Sequence, residues 1–202
     1  NADNMTAHYP YSAWLAGEGF SVFIFDYRGY GASGGTASLD GAVLDGAAAL
    51  KQAAKLPGAE PGKLVVLGQS LGGALAVAAV AESGARPAAM VFEGTFYSYR
   101  GMGAAALRRH WWTWPALWLP SVAVSGRHSP ADNIGKLTCP KLFIHSRGDR
   151  VVPFAQGKRL FESAPGPKEF WETPGGHIEA FHTYRETYGP RLVEFLKTAL
   201  KQ

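Results

Sequence analysis

One cysteine, Cys139, stands in a chain of 202 residues, so no intrachain disulfide framework can form. A lone thiol fits a reducing compartment, and a cytoplasmic setting is the expectation. No apolar run approaches the roughly 20 residues that a helix needs to cross a bilayer. The formal net charge is +4, yet Lys and Arg form no dense run, so nucleic acid is not an expected partner. There is no His/Cys cluster at metal-ligand spacing and no glycine-rich phosphate loop of the Walker kind, so neither a metal nor a cofactor is expected. Internal repeats and low-complexity linkers are missing too, and residues 1–202 read as a single domain. The opening "NADNMTAHYP" carries neither an initiator methionine nor a signal-peptide pattern, and it reads as the continuation of something longer.

What is present is a core-forming composition, 47% hydrophobic and 18% charged, in which strand and helix patterns alternate. The run "FSVFIFDY" (20–27), bounded by Gly19 and Gly29, predicts a buried strand. Leu39, Val43, Ala47, Leu50 and Ala54 recur at helical spacing behind Ser38, a good N-cap, and Pro57-Gly58 is the stop. Strands are predicted at 63–68, 88–94, 140–146 and 168–173. Helices are predicted at 71–83, closed by Gly84, at 154–164, and at the C-terminus around Leu192, Phe195 and Leu196, with Pro190 near its first turn. Such alternation implies right-handed crossovers and a mostly parallel sheet with helices on both faces.

"KLVVLGQSLGGALA" (63–76) carries Gly68-Gln69-Ser70-Leu71-Gly72 where a strand stops and a helix starts. That is the setting of a nucleophile elbow, in which a sharp turn projects the serine hydroxyl from the strand's carboxyl end. The flanking glycines, Gly68 and Gly72, are expected where side chains would strike nearby backbone. The N-terminus of the following helix would face any anion formed there. A serine hydroxyl needs a base, and the base needs an orienting acid. Elbow enzymes place them in the chain order Ser, acid, His. Asp149 in "HSRGDRVVP" and His177 in "TPGGHIEAF" follow in that order, each just past a predicted strand. In a parallel sheet all three meet at one edge. His182 is the rival base, and Glu93, ending another strand, is the reserve acid.

"FDYRGYGASGG" (25–35), "GQSLGG" (68–73), "HSRGDRVVP" (145–153) and "GGH" (175–177) together resemble the α/β-hydrolase superfamily. The nearest likeness is its small single-domain branch of serine esterases, thioesterases and lysophospholipase-like enzymes. The resemblance runs along essentially the whole chain. It implies that Ser70 is the nucleophile, His177 the general base then acid, and Asp149 the orienting carboxylate. It also implies an oxyanion hole made by the Leu71 N–H and one N–H from a loop that often reads His-Gly-Asn-Ala. The chain opens on Asn1-Ala2, so the second donor is assigned to Asn1 or Ala2. The family places a further strand between 20–27 and 63–68, so the fold is expected to lack its N-terminal strands, with more sequence upstream of Asn1. Any membrane anchor would lie there. In the glycine-rich "DYRGYGASGG", Asp26 and Arg28 are expected to hold a loop rather than to touch substrate.

Residues 95–136 break the alternation and read as a lid-like insertion. They hold "RRHWWTWPALWLP" (108–120), with four of the six tryptophans. Trp111, Trp112 and Trp114 are the candidate substrate-binding residues, walls of an apolar acyl pocket. Two alternatives stand beside that: rings that simply pack the insertion onto the core, and a membrane-surface contact in which Trp lies beside Arg108 and Arg109. The expected activity is hydrolysis of a small carboxylic ester or thioester through an acyl-enzyme. The alternatives are a serine peptidase acting on small peptides and a non-catalytic binding protein of the same fold.

Overall fold

The computed structural model describes residues 4–201. In chain order the helices are α1 (Met5–His8), α2 (Leu39–Ala53), α3 (Leu71–Ser83), α4 (Tyr99–Arg108), α5 (Leu119–Ala123), α6 (Pro130–Asn133), α7 (Phe154–Ser163) and α8 (Arg185–Ala199). Strands β1 (Val65–Gln69), β2 (Ala89–Glu93), β3 (Lys141–Ser146) and β4 (Lys168–Thr173) form one parallel sheet in the order β1-β2-β3-β4.

Strand periodicity sorts the two faces. Val91, Leu142 and Ile144 point to one side and pack with Leu192, Val193 and Leu196 of α8. Met90, Phe92 and Phe143 point to the other and meet Val77 and Val80 of α3 and Leu160 of α7. Each large side chain so buried contributes about 1.5–3 kcal/mol by leaving water. Strands covered on both faces read as continuous apolar runs, as β2 and β3 do. The consequence for function is directional: all four strands deliver their carboxyl ends to one edge.

Local signals set most boundaries. Ser38 Oγ accepts the Gly41 N–H at 3.1 Å and starts α2. Gly84, at φ 69°, ends α3 in the left-handed conformation that glycine adopts without strain. Arg28 forks onto Asp45 of α2, with its Nη2 2.7 Å from Oδ1, and Ser33 Oγ donates to the Asp26 carbonyl, so the 25–35 loop is held as expected.

Two expectations are corrected. Residues 20–27 form no strand: they run without regular hydrogen bonding and are only half-buried, with Phe23 exposed. Their apolar alternation still docks Phe20 and Val22 on the α8 side of the core. A strand, however, exists only as one rail of a ladder, and among the described residues nothing pairs with this segment. Pro190 lies inside α8 rather than near its first turn, because the helix begins at Arg185. Burial of Tyr188 and Leu192 on the core face carries the helix through the proline, whose missing N–H forfeits one bond.

Between β2 and β3, residues 95–136 contain only helices and turns. Ile134 and Leu137 root the end of this segment in the core. His128 is buried between two carboxylates, with Nε2 2.8 Å from Asp40 of α2 and Nδ1 2.5 Å from Glu82 of α3.

Candidate active site

The elbow is built by close approach of backbones. Ser70 has φ 52° and ψ −122°, a strained conformation for a residue with a side chain, enforced by the strand before it and the helix after it. Its N–H donates to the Glu93 carbonyl at 2.8 Å, which ties the elbow to the end of β2. A Cβ on Gly68 would lie 2.5 Å from the Gly73 Cα, so the first motif glycine is required by sterics. The second is not: a Cβ on Gly72 would meet open space, and the crowded position is Gly73, against Thr95. The Leu71 N–H belongs to the first turn of α3, where amide groups have no intrahelical acceptor and the helix dipole favours an anion. Asn1 and Ala2 lie outside the described residues.

Asp149 sits in the turn after β3 with its side chain enclosed. Oδ1 accepts the N–H groups of Val151 and Val152, both at 2.8 Å, and Oδ2 accepts His177 Nδ1 at 2.7 Å. Burial pushes its pKa up and is the largest single influence. The His177 hydrogen bond, the two backbone bonds and the nearby imidazole charge together outweigh burial and hold Asp149 below the usual carboxylate range. With Nδ1 donating to Asp149, His177 carries Nε2 as its free, basic nitrogen. Its ring rests on Gly94, the residue after β2, where an added Cβ would come within 2.9 Å of Cε1. Ser70 is bonded to the neighbouring Glu93, so Ser70 and His177 both lie at the carboxyl end of β2. Within the described residues the structure draws His177 onto Asp149 but closes no hydrogen bond from it to Ser70. Such bonds commonly tighten only with substrate bound.

His182, the rival base, is exposed and lies against Tyr11, ring centroids 5.3 Å apart, with no carboxylate partner among the described residues. Glu93, the reserve acid, does not touch the imidazole. It is buried, its Oε2 accepts Gln69 Nε2 and its Oε1 accepts the Ala180 N–H, both at 2.7 Å. One residue thus clamps Gln69, before Ser70, to Ala180, in the loop after His177. Burial pushes its pKa up.

Two further residues emerge only from the structure. Ser146 Oγ donates to the Gly175 carbonyl at 2.5 Å and accepts the Gly148 N–H at 3.0 Å, locking the acid loop to the histidine loop. His145 is buried behind the acid, donating from Nε2 to the Val152 carbonyl at 3.0 Å, with that nitrogen 3.5 Å from Asp149 Oδ2. Burial pushes its pKa down, so it lines the acid as a neutral ring. A histidine at a strand end was the only sequence signal for it.

Trp111, Trp112 and Trp114 are 74%, 63% and 58% exposed. Their segment is nonetheless pinned beside the site: the Arg109 guanidinium donates to the carbonyls of Arg150 and Val151, at 2.5 and 3.2 Å, in the Asp149 loop.

The comparisons with known proteins bear on the fold and the family. The family described as serine aminopeptidase, S33, matches residues 5–133. The uncharacterized protein YfhR of Salmonella typhi is 33% identical over 215 aligned residues, covering 99% of this chain and 70% of that protein. Among solved structures, the Pyrococcus furiosus esterase Pf2001 superposes with a TM-score of 0.78 at 24% identity, over 98% of this chain and 79% of the other. A monoacylglycerol lipase from Paleococcus ferrophilus gives 0.70 at 19% identity, over 98% and 91%. The chain belongs to the serine aminopeptidase S33 family of α/β-hydrolases.

Proposed function

We propose that the chain is a serine hydrolase that cleaves carboxylic esters through an acyl-enzyme. The observation that carries this reading is the 2.7 Å His177–Asp149 bond at the edge where Ser70 is held in strained geometry. Ser70 Oγ attacks the ester carbonyl while His177 Nε2 takes its proton, and Asp149 stabilises the imidazolium from the far side. The oxyanion forms at the start of α3, where the Leu71 N–H is aimed. His177 then returns the proton to the departing alcohol. Water repeats the sequence on the acyl-enzyme and frees the acid. Thioesters follow the same route with a thiol leaving.

The family description names aminopeptidases, whereas the structural neighbours are named as an esterase and a lipase. One feature of the chain favours esters. An aminopeptidase must hold its substrate's ammonium group, for which carboxylates are the natural partner. Residues 94–131, which include the tryptophan-bearing part of the 95–136 segment, contain no Asp or Glu. Asp149 and Glu93 are buried and already engaged. A panel of p-nitrophenyl esters, acyl thioesters and aminoacyl anilides tests the choice. Turnover of esters well above anilides is expected; preferential anilide cleavage would move the chain to the peptidases.

A further inference from the structure

We propose that the tryptophan-bearing face of the insertion docks on an anionic phospholipid bilayer. Twelve large hydrophobic side chains are exposed among the described residues, and six of them fall between Trp111 and Val122: Trp111, Trp112, Trp114, Trp118, Leu119 and Val122. A concentration of this kind on an otherwise soluble surface marks an interaction site. The rings face outward because the insertion has no room for them inside. Its helices meet through small residues, with a Cβ on Gly103 of α4 only 3.0 Å from the Pro120 side chain of α5. The rings touch each other instead, Trp111 edge-on to Trp112 and His110 stacked on Trp112 at 4.6 Å.

Charge selects the partner. From Gly94 to Ala131 there is no acidic residue, against four arginines: Arg100, Arg108, Arg109 and Arg127. Of these four arginines, only Arg127 has a carboxylate partner among the described residues, Asp40. Arg108 and Arg109 sit at the foot of the tryptophan segment, and no described carboxylate pairs with either of them or with Arg150 of the adjoining loop. An indole has an apolar body and a polar N–H, the form that settles at the headgroup level, and arginines beside it meet lipid phosphates. A second copy of this chain would bring one basic face against another, so lipid is the better fit. Among the described residues no helix is long and apolar enough to span a membrane, which makes this an interfacial contact. Because Arg109 ties the segment to the Asp149 loop, docking would bring the strand-end site to the bilayer surface. That last consequence rests on the hydrolase reading; the docking does not.

The purified chain is mixed with vesicles of phosphatidylcholine alone and of phosphatidylcholine containing about a third phosphatidylglycerol. Co-sedimentation with the mixed vesicles is expected, with a blue-shifted tryptophan emission and release by added salt. Brominated phospholipid should quench the emission of the unaltered protein, which needs no variant. Trp112→Ser with Trp118→Ser should lose most binding at unchanged circular dichroism, and Arg108→Glu should weaken binding to mixed vesicles about tenfold. Ser70→Ala should bind as the parent does, so docking and hydrolysis fail or succeed separately. No binding to mixed vesicles, or no quenching, overturns the proposal. So does a monomer–dimer equilibrium that the same tryptophan substitutions abolish without any vesicle binding, which would assign the face to a second copy. Tighter binding to a DNA oligonucleotide than to mixed vesicles would overturn it likewise.

Discussion

At the carboxyl ends of β2 and β3 the carboxylates of Glu93 and Asp149 are buried, and each oxygen accepts a hydrogen bond. In the insertion that joins those two strands, the largest apolar groups of the molecule face outward. Ordinary folding places polar groups in water and indoles in the core. The strand ends reverse the first half of that rule and the insertion reverses the second. The difference lies in what each inversion is held by. The buried carboxylates are satisfied from within the fold, by backbone amides, Gln69 and His177. Of the exposed tryptophans only Trp111 and Trp112 pack against one another among the described residues, and the rest of their surface faces outward. Strand ends whose buried acids are satisfied within the fold and a segment whose indoles face outward therefore adjoin, linked by Arg109.

The largest effects belong to the strand ends. Ser70→Ala should lower kcat on a p-nitrophenyl ester by about 10⁶-fold and Asp149→Asn by about 10⁴-fold, since the acid orients the base without taking its proton. Steady-state kinetics on variants with unchanged circular dichroism checks both. Loss of equal size in Glu93→Gln would mean that the wrong carboxylate has been assigned to the base.

Gly94→Ala comes next. The new methyl would press on the imidazole at a φ of 60°, and a displaced base should cost about 100-fold in kcat, with a modest loss of stability. A fully active Gly94→Ala would contradict the placement of His177 on that residue.

The two buried acids also separate by pH. Asp149 is held below the usual range by hydrogen bonds that outweigh burial, so its contribution to stability is complete above that range and is lost as pH falls from it through the lower folded value. Glu93 is held high by burial, so it costs stability as pH rises from the usual range through its folded value. Melting temperatures between about pH 3 and 8 should therefore change oppositely. Asp149→Asn should flatten the acid-side fall, whereas Glu93→Gln should raise the neutral side. Gln at 93 can still accept from Ala180 and donate to a flipped Gln69 amide, which preserves the clamp.

Smallest of all should be Trp111→Ser. A side chain 74% exposed contributes little packing, and the unfolding free energy should move by no more than about 0.5 kcal/mol. A large drop would mean that the ring supports the insertion.

The same contrast explains what could be read from the sequence. The four paired strands and the Asp149–His177 contact are legible because short apolar runs and strand-end position are local signals that the topology then brings together. The extended 20–27 segment departs from the strand its sequence predicts because a short apolar run reports burial of side chains but not the presence of a neighbouring ladder. Gly72 drew attention that belongs to Gly73, since the close contact with Thr95 is tertiary. Glu93 looked like a spare acid because its clamp depends on the pairing of Gln69 with Glu93 across β1 and β2. His145 was hidden for the same reason, its acceptor being a carbonyl on the far side of a turn.

The measurement that bears most directly on the account is labelling of the folded protein by a fluorophosphonate, with the modified residue located by peptide mass spectrometry. Attachment to Ser70, slowed by orders of magnitude in His177→Ala, is the predicted result. An unlabelled Ser70, or labelling that proceeds equally fast without His177, would contradict the assignment of a working Ser70–His177–Asp149 triad.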